Sequence, residues 1–365
     1  MHKRSVCYTI VLSIWMQAPT QGALPDAEAH IARGNAAYLK ADYDTAFDEY
    51  SAAVRLDPNA HTAHYGLGSV WTKRKNFTEA VKCYDTVVKL NASFFWAYLD
   101  RGNARSKLGE HEQALKDVNE GIRLKDDNPR AYAMRALIYV ECKRFKDSIA
   151  DADTAIKLNP NLAEGYHVRG IAHLRQADYD IAARDLSNAI RLNPNEPTAY
   201  YNRIGAYIAL KELNKALDDA NAVIKLYPKL SGGYSHRAIV LIEKGVWGEA
   251  VADLDAAVKL EPTDADALAT RALVRAACPD AKYRNADESL KDAKRACELT
   301  NWKSTYQLDV YASAWAEKGE YSEAQKWQKK VVADEHYMTL RGEAVRQRGK
   351  LYEANKPFRL RSQGD

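Results

Sequence analysis

Residues 163–196 read AEGYHVRGIAHLRQADYDIAARDLSNAIRLNPNE, and the landmarks of this stretch return 34 residues earlier and later. Stepping forward from Pro160 by that period reaches Pro194, Pro228 and Pro262. Stepping back three periods reaches Pro58, passing Asp126 and Ala92, where the proline is lost. A fixed period of this length marks a stacked repeat, in which no unit buries its apolar face alone.

Each unit holds two amphipathic segments. Tyr166, Gly170 and His173 recur at i, i+4 and i+7, the spacing of one face of a helix, and Ala182, Leu186 and Ala189 do the same. An aromatic at the exit of the intervening turn (Tyr43, Phe77, Phe145, Tyr179, Trp247) is placed to plug the corner. The pattern predicts helix, turn, helix.

The unit carries a bulky residue at position 4, Gly or Ala at 8, in part an aromatic at 11, Ala at 20 and 27, an aromatic or Leu at 24 and Pro at 32. Gly34, Ala46, Tyr50, Ala53 and Pro58 fill these places in the first unit, and Leu67, Gly68, Ala80 and Tyr84 occupy the corresponding stretch of the second. This pattern resembles the tetratricopeptide repeat. The resemblance implies an all-α, right-handed superhelix of about nine repeats plus a capping helix.

Seven regular repeats are expected over 27–264, starting at Ala27, His61, Phe95, Pro129, Ala163, Pro197 and Ser231. An eighth (265–304) carries about five extra residues around Cys278–Asn285, and a divergent ninth (305–338) has Leu308, Ala312, Trp315, Ala324 and Val331 as landmarks. Leu340, Ala344, Val345, Leu351 and Tyr352 then predict a capping helix over 339–354, closing the core, and 355–365 reads as a loose tail. The runs ACPDAKYR, CELTNW and LYEANKPFR resemble the last repeats of secreted bacterial tetratricopeptide proteins.

The net charge is +4, with charged residues making up 28% of the chain and both signs interleaved, so no concentrated basic face marks a nucleic-acid binder. His2-Lys3-Arg4, a short apolar run over 5–16 and small residues to Ala23 read as a secretory signal peptide over 1–23, although Tyr8, Thr9 and Ser13 weaken its core. Its cleavage implies an exported, periplasmic or extracellular protein with no stable membrane insertion. A retained amphipathic anchor is the competing reading. Past Cys7, the cysteines Cys83, Cys142, Cys278 and Cys297 show no metal-ligand spacing and are expected to be buried thiols.

Position 7 is Arg33, Arg101, Arg135, Arg169, Arg203, Arg237 and Arg271, but Leu67 and Tyr311 in repeats two and nine. Position 23 is Glu49, Asp117, Asp151, Asp185, Asp219, Asp253 and Asp292, but Cys83 and Trp327 in those same repeats. Because the charges come and go together, pairing within a repeat is expected, as a structural ladder rather than a phosphate-reading stripe.

No serine-hydrolase elbow, zinc-protease motif or glycine-rich phosphate loop is present, and no catalytic, cofactor or metal residues are assigned. The nine histidines are scattered; core packing is expected for His30 and His64 at position 4 and for His173 at position 11.

In the resembled family, positions 2, 5, 9, 12 and 13 of the first helix line a groove that holds an extended peptide or partner helix. Here those positions include Leu137, Val140, Ile171, Leu174, Ile208, Ile239 and Ile242, with Tyr65, His167 and Tyr201 at position 5 and Arg175 and Glu243 at the edges. The competing reading packs these side chains on neighbouring repeats. Family members that clasp chaperone C-termini carry Lys at position 5 and Asn at 9; Ile31 with Asn35 and Leu99 with Asn103 lack the lysine. A protein- or peptide-binding scaffold is therefore expected, with a chaperone-like module for unfolded clients and an accessory region of an enzyme complex as alternatives. Partner and oligomeric state are left open.

Overall fold

The computed structural model describes residues 25–360; the leader read at 1–23 lies outside the described residues. The described chain is all helical apart from turns and divides into two units, at Asp178 and Tyr179.

The first unit holds α1 (Pro25–Leu39), α2 (Tyr43–Leu56), α3 (His61–Lys73), α4 (Phe77–Leu90), α5 (Phe95–Lys107), α6 (His111–Leu124), α7 (Pro129–Glu141), α8 (Phe145–Leu158) and α9 (Ala163–Arg175). The second holds α10 (Tyr179–Leu192), α11 (Pro197–Ala209), α12 (Leu213–Leu226), α13 (Ser231–Glu243), α14 (Trp247–Leu260), α15 (Ala265–Ala277), α16 (Ala286–Leu299), α17 (Thr305–Glu317), α18 (Tyr321–Val332) and α19 (Glu335–Glu353). Within each unit, helices pack on their sequence neighbours as antiparallel pairs, and each pair packs on the next. The result is a solenoid of helix-turn-helix repeats closed by a final helix.

Glycine lets aromatic rings enter the stack. A methyl on Gly34 would lie 2.6 Å from the Tyr50 ring, and one on Gly66 of the next repeat 2.7 Å from it. Tyr50 is fully buried between them and donates to Asn35 Oδ1 at 2.9 Å. Tyr84 stands likewise against Gly68.

The turn between the two helices of a repeat is set by one backbone angle. Position 15 has positive φ in Ala41, Lys75, Gly109, Lys143, Ala177, Lys211, Gly245 and Gly319. There the N–H groups of positions 15 and 16 return to carbonyls of positions 12 and 11, as in Gly245 to Ile242 and Val246 to Leu241. In repeat eight position 15 is Pro279, whose ring forbids positive φ and which has no N–H. The chain detours through a 3₁₀ turn (Ala281–Tyr283) before Asn285 N donates to Arg275 O at 2.9 Å. This accounts for the insertion.

Arginine joins consecutive repeats. Arg101 Nε and Nη2 grip Asp117 at 3.0 and 2.6 Å, while Nη1 reaches Asp85 of the preceding repeat at 2.7 Å. Arg135 holds Asp151 and reaches Asn119, Arg203 holds Asp219 and reaches Ser187, Arg237 holds Asp253 and reaches Asn221, and Arg271 holds Asp292 and reaches Asp255. Arg33 bonds Glu49 at 2.9 Å, and Arg169 Nη1 reaches Asp153 at 2.6 Å. The second acceptor always stands at position 25. Where it is Asp85 or Asp255, an added arginine at position 11, Arg105 or Arg275, binds the same acids. Asp153, the third aspartate at position 25, is reached by Arg169, and position 11 there is His173 rather than an arginine.

In repeats three to seven the position-4 tyrosines also serve this ladder. Tyr98, Tyr132, Tyr166, Tyr200 and Tyr234 lie under the arginine guanidinium carbons at 5.4–6.0 Å. Tyr98, Tyr200 and Tyr234 donate to the position-32 carbonyls of Ala92, Pro194 and Pro228. The core role expected for His30 and His64 is thereby corrected: His30 Nδ1 lies 2.7 Å from Glu49 Oε2, and His64 Nε2 lies 2.9 Å from the Pro58 carbonyl.

Two end assignments also change. The final helix starts at Glu335 rather than 339, because Asp334 accepts from Tyr337 N and caps it there. The segment read as loose is docked over 358–360: Phe358 packs with Ala312, Ala316 and Tyr352, and Leu360 N donates to Ala277 O at 2.8 Å.

Candidate functional site: the first-helix face

The expected strip falls partly in each unit. In the first, Leu137 and Ile171 pack with Ala136, Val140, Val168 and Ala172, and Leu174 is half-buried. Val140 and Tyr65 are buried, so neither lines an open face, contrary to the sequence reading. Tyr65 is enclosed by Tyr84 and Phe94 and bonds Asp100. His167 is half-buried and Arg175 exposed.

In the second unit the face is more open. Tyr201, Gly205 and Ile208 follow one another on α11 at i, i+4 and i+7, and Ile239 and Ile242 stand at i and i+3 on α13, which packs beside it. Ile239 is 37% exposed, Ile208 and Ile242 are half-buried, and a Cβ on the exposed Gly205 would meet nothing within 4 Å. A glycine here leaves the backbone uncovered at position 9, the position that Ile239 holds in the next repeat. The Tyr201 ring stacks on His236 at 3.9 Å and forms one wall. Burial pushes the Tyr201 hydroxyl up to about 12 and holds His236 below its ordinary value. Burial therefore keeps the stacked pair neutral at pH 7, against the pull of the bond that His236 Nδ1 donates to Gly232 O at 2.8 Å. Glu243 at the edge pairs with Lys211 at 3.3 Å. The face is thus apolar with little free charge.

Sequence reasoning missed Gly205, whose signal was a position 9 without a side chain between tyrosine and isoleucine. It also missed the position-25 acceptors. Cys83, Cys142, Cys278 and Cys297 are free thiols, and burial pushes Cys83 up to about 11 and Cys297 up to about 12, well away from a reactive thiolate. Among the described residues no group of three or more His, Cys, Asp or Glu is gathered to hold a metal, and no helix is long and apolar enough to cross a membrane.

The comparisons agree with this architecture. A tetratricopeptide repeat protein from Parabacteroides merdae ATCC 43184 superposes with a TM-score of 0.54 at 20% identity, over 65% of this chain and 93% of that one. The Cut9–Hcn1 hetero-tetramer of the APC/C gives 0.57 at 18% identity, over 71% of this chain and 50% of that one. At such identities the likeness is one of fold. No curated protein matches the chain. The tetratricopeptide repeat model matches residues 31–93, 99–163 and 167–231. With more than half of its length matched, the chain belongs to the tetratricopeptide repeat family.

Proposed function

We propose that this non-catalytic repeat scaffold captures an extended, mainly apolar segment of a partner protein on the first-helix face of its second unit. The observation that supports the reading most is the open position 9 at Gly205, the place that the part-exposed Ile239 takes in the next repeat. Apolar surface left open beside a neutral Tyr201–His236 wall suits an apolar side chain with little charge, so capture is expected to vary weakly with salt.

Gly205→Trp fills this open position without disturbing the packing, because it faces open space. A photo-crosslinker at Ile239 is expected to trap one stoichiometric partner in its source cells. Gly205→Trp is expected to abolish trapping while the helical signal and Tm hold. A smear of clients would favour the chaperone alternative, and trapping unchanged by Gly205→Trp would sink the site.

A further inference from the structure

Pro279 leaves a carbonyl without its usual donor. In the regular turns the position-12 carbonyl accepts from position 15, but a proline there cannot donate, and Ala276 O is left at the end of α15. Arg359 Nη1 takes it at 3.2 Å and also binds Glu317 Oε2 at 2.7 Å. Glu317, its side chain 13% exposed, is held on its other oxygen by Arg284 of the insertion at 3.1 Å. Next to it Leu360 N donates to Ala277 O, and the Leu360 side chain joins Trp247, Cys278, Tyr283 and Ile242. A cation at the carboxyl end of a helix is further favoured by the helix dipole.

These contacts are those of a bound peptide. After Asn355 (φ 53°) and Pro357 end α19, the segment runs past repeat nine to repeats eight and seven, where Leu360 packs on the buried cluster that Ile242, a residue of the proposed binding face, also joins. We propose that Phe358–Leu360 is a cis-bound occupant of a trough at the ends of α13, α15 and α17, and that this trough accepts an aromatic–arginine–leucine segment of a partner protein once the chain's own segment leaves. The idea rests on the second unit being a segment-binding surface. Its chemistry is set by what is on hand: one backbone acceptor at Ala277, a carboxylate and a carbonyl for a guanidinium, and apolar seats on either side. Tethering gives the cis segment an effective concentration of about millimolar, so an external segment competes only if it adds contacts, such as those at Ile239 and Gly205.

The test uses the full chain and a labelled peptide, Lys-Pro-Phe-Arg-Leu, followed by fluorescence anisotropy. Arg359→Ala with Leu360→Asp frees the trough; that variant is expected to bind the peptide about tenfold more tightly than wild type. Adding Glu317→Gln, or replacing the peptide's arginine by alanine, is expected to reverse the gain. Equal weak binding by a folded variant and wild type would overturn the proposal. If the variant does not fold, hydrogen exchange at the wild-type Leu360 amide decides: excess unlabelled peptide is expected to speed it, and no change overturns the idea. Concentration-dependent dimers of wild type that the peptide fails to dissolve would make a second copy the occupant and also overturn it. Loss of crosslinking in Gly205→Trp without any peptide exchange would leave the binding face standing and refute only the strap.

Discussion

The Tyr65 hydroxyl donates to Asp100 Oδ2 at 2.5 Å, joining repeats two and three in the first unit through a carboxylate with no arginine on it. Burial raises the Asp100 carboxyl to about 6, against the pull of the Tyr65 bond and of Lys73. An unfolded aspartate titrates near 3.9, so between about pH 4 and 6 the folded state holds the extra proton. Stability from this group therefore falls as pH rises through that window and levels off above it. The expected loss is on the order of 2–3 kcal/mol. Asp100→Asn keeps an acceptor for Tyr65 and is expected to remove the slope. Urea unfolding of both proteins at pH 4 to 7 checks this, and parallel curves would refute it.

The arginine ladder makes single and paired substitutions unequal. Arg203→Leu leaves Asp219, a buried carboxylate, without its bidentate partner and is expected to cost about 3–5 kcal/mol. Arg203→Leu with Asp219→Leu removes both charges and is expected to cost less than the single change. Additive losses in the double-mutant cycle would show that the pair is not coupled.

Position 15 holds non-glycine residues in a left-handed conformation. Lys75 at φ 59° carries a steric cost that glycine does not, so Lys75→Gly is expected to raise stability by up to about 1 kcal/mol. Gly109 sits at φ 81° with open space around it, and Gly109→Ala is expected to lose a similar amount for the backbone alone. Thermal melts of the two variants should move in opposite directions.

Two helical glycines separate packing from propensity. A methyl on Gly68 would lie 2.5 Å from the buried Tyr84 ring, and Gly68→Ala is expected to cost about 1–3 kcal/mol. Gly205→Ala meets nothing and is expected to gain about 0.5–1 kcal/mol from helix propensity. A loss at both positions would contradict the open space at Gly205.

The repeat architecture was legible because one period carries every landmark, from the helix faces to the prolines. The pairing of Arg101 with Asp117 was legible too, since both charges vanish where Leu67 and Cys83 stand. The reach of the same arginine to Asp85 went unseen because position 25 varies among Asp, Asn and Ser, which share hydrogen-bond acceptance but not charge. Tyr65 misled because position 5 is read as surface, while only the fold brings Tyr84, Phe94 and Asp100 around it. The docked segment was read as solvated because nothing local to Arg359 shows that Pro279, 80 positions earlier, leaves a carbonyl for it.

Each ladder arginine spends its guanidinium on two repeats, and this fixes where the chain can be recombined. Position 23 ties the arginine to the second helix of its own repeat, as in Arg101 with Asp117, and position 25 ties it to the second helix of the repeat before, as in Arg101 with Asp85. Exchanging whole repeats at the proline boundary would set Asp85 opposite a segment lacking Arg105, or Asn119 opposite one that has it. Chimeras spliced at position 15, inside the turn, keep each position-25 acceptor with its own cations but part Arg101 from Asp117 and Arg203 from Asp219. Neither seam leaves the ladder whole, so a splice is best placed at position 15 between repeats that both carry the position-7 arginine and the position-23 acid, where the parted partners are replaced in kind.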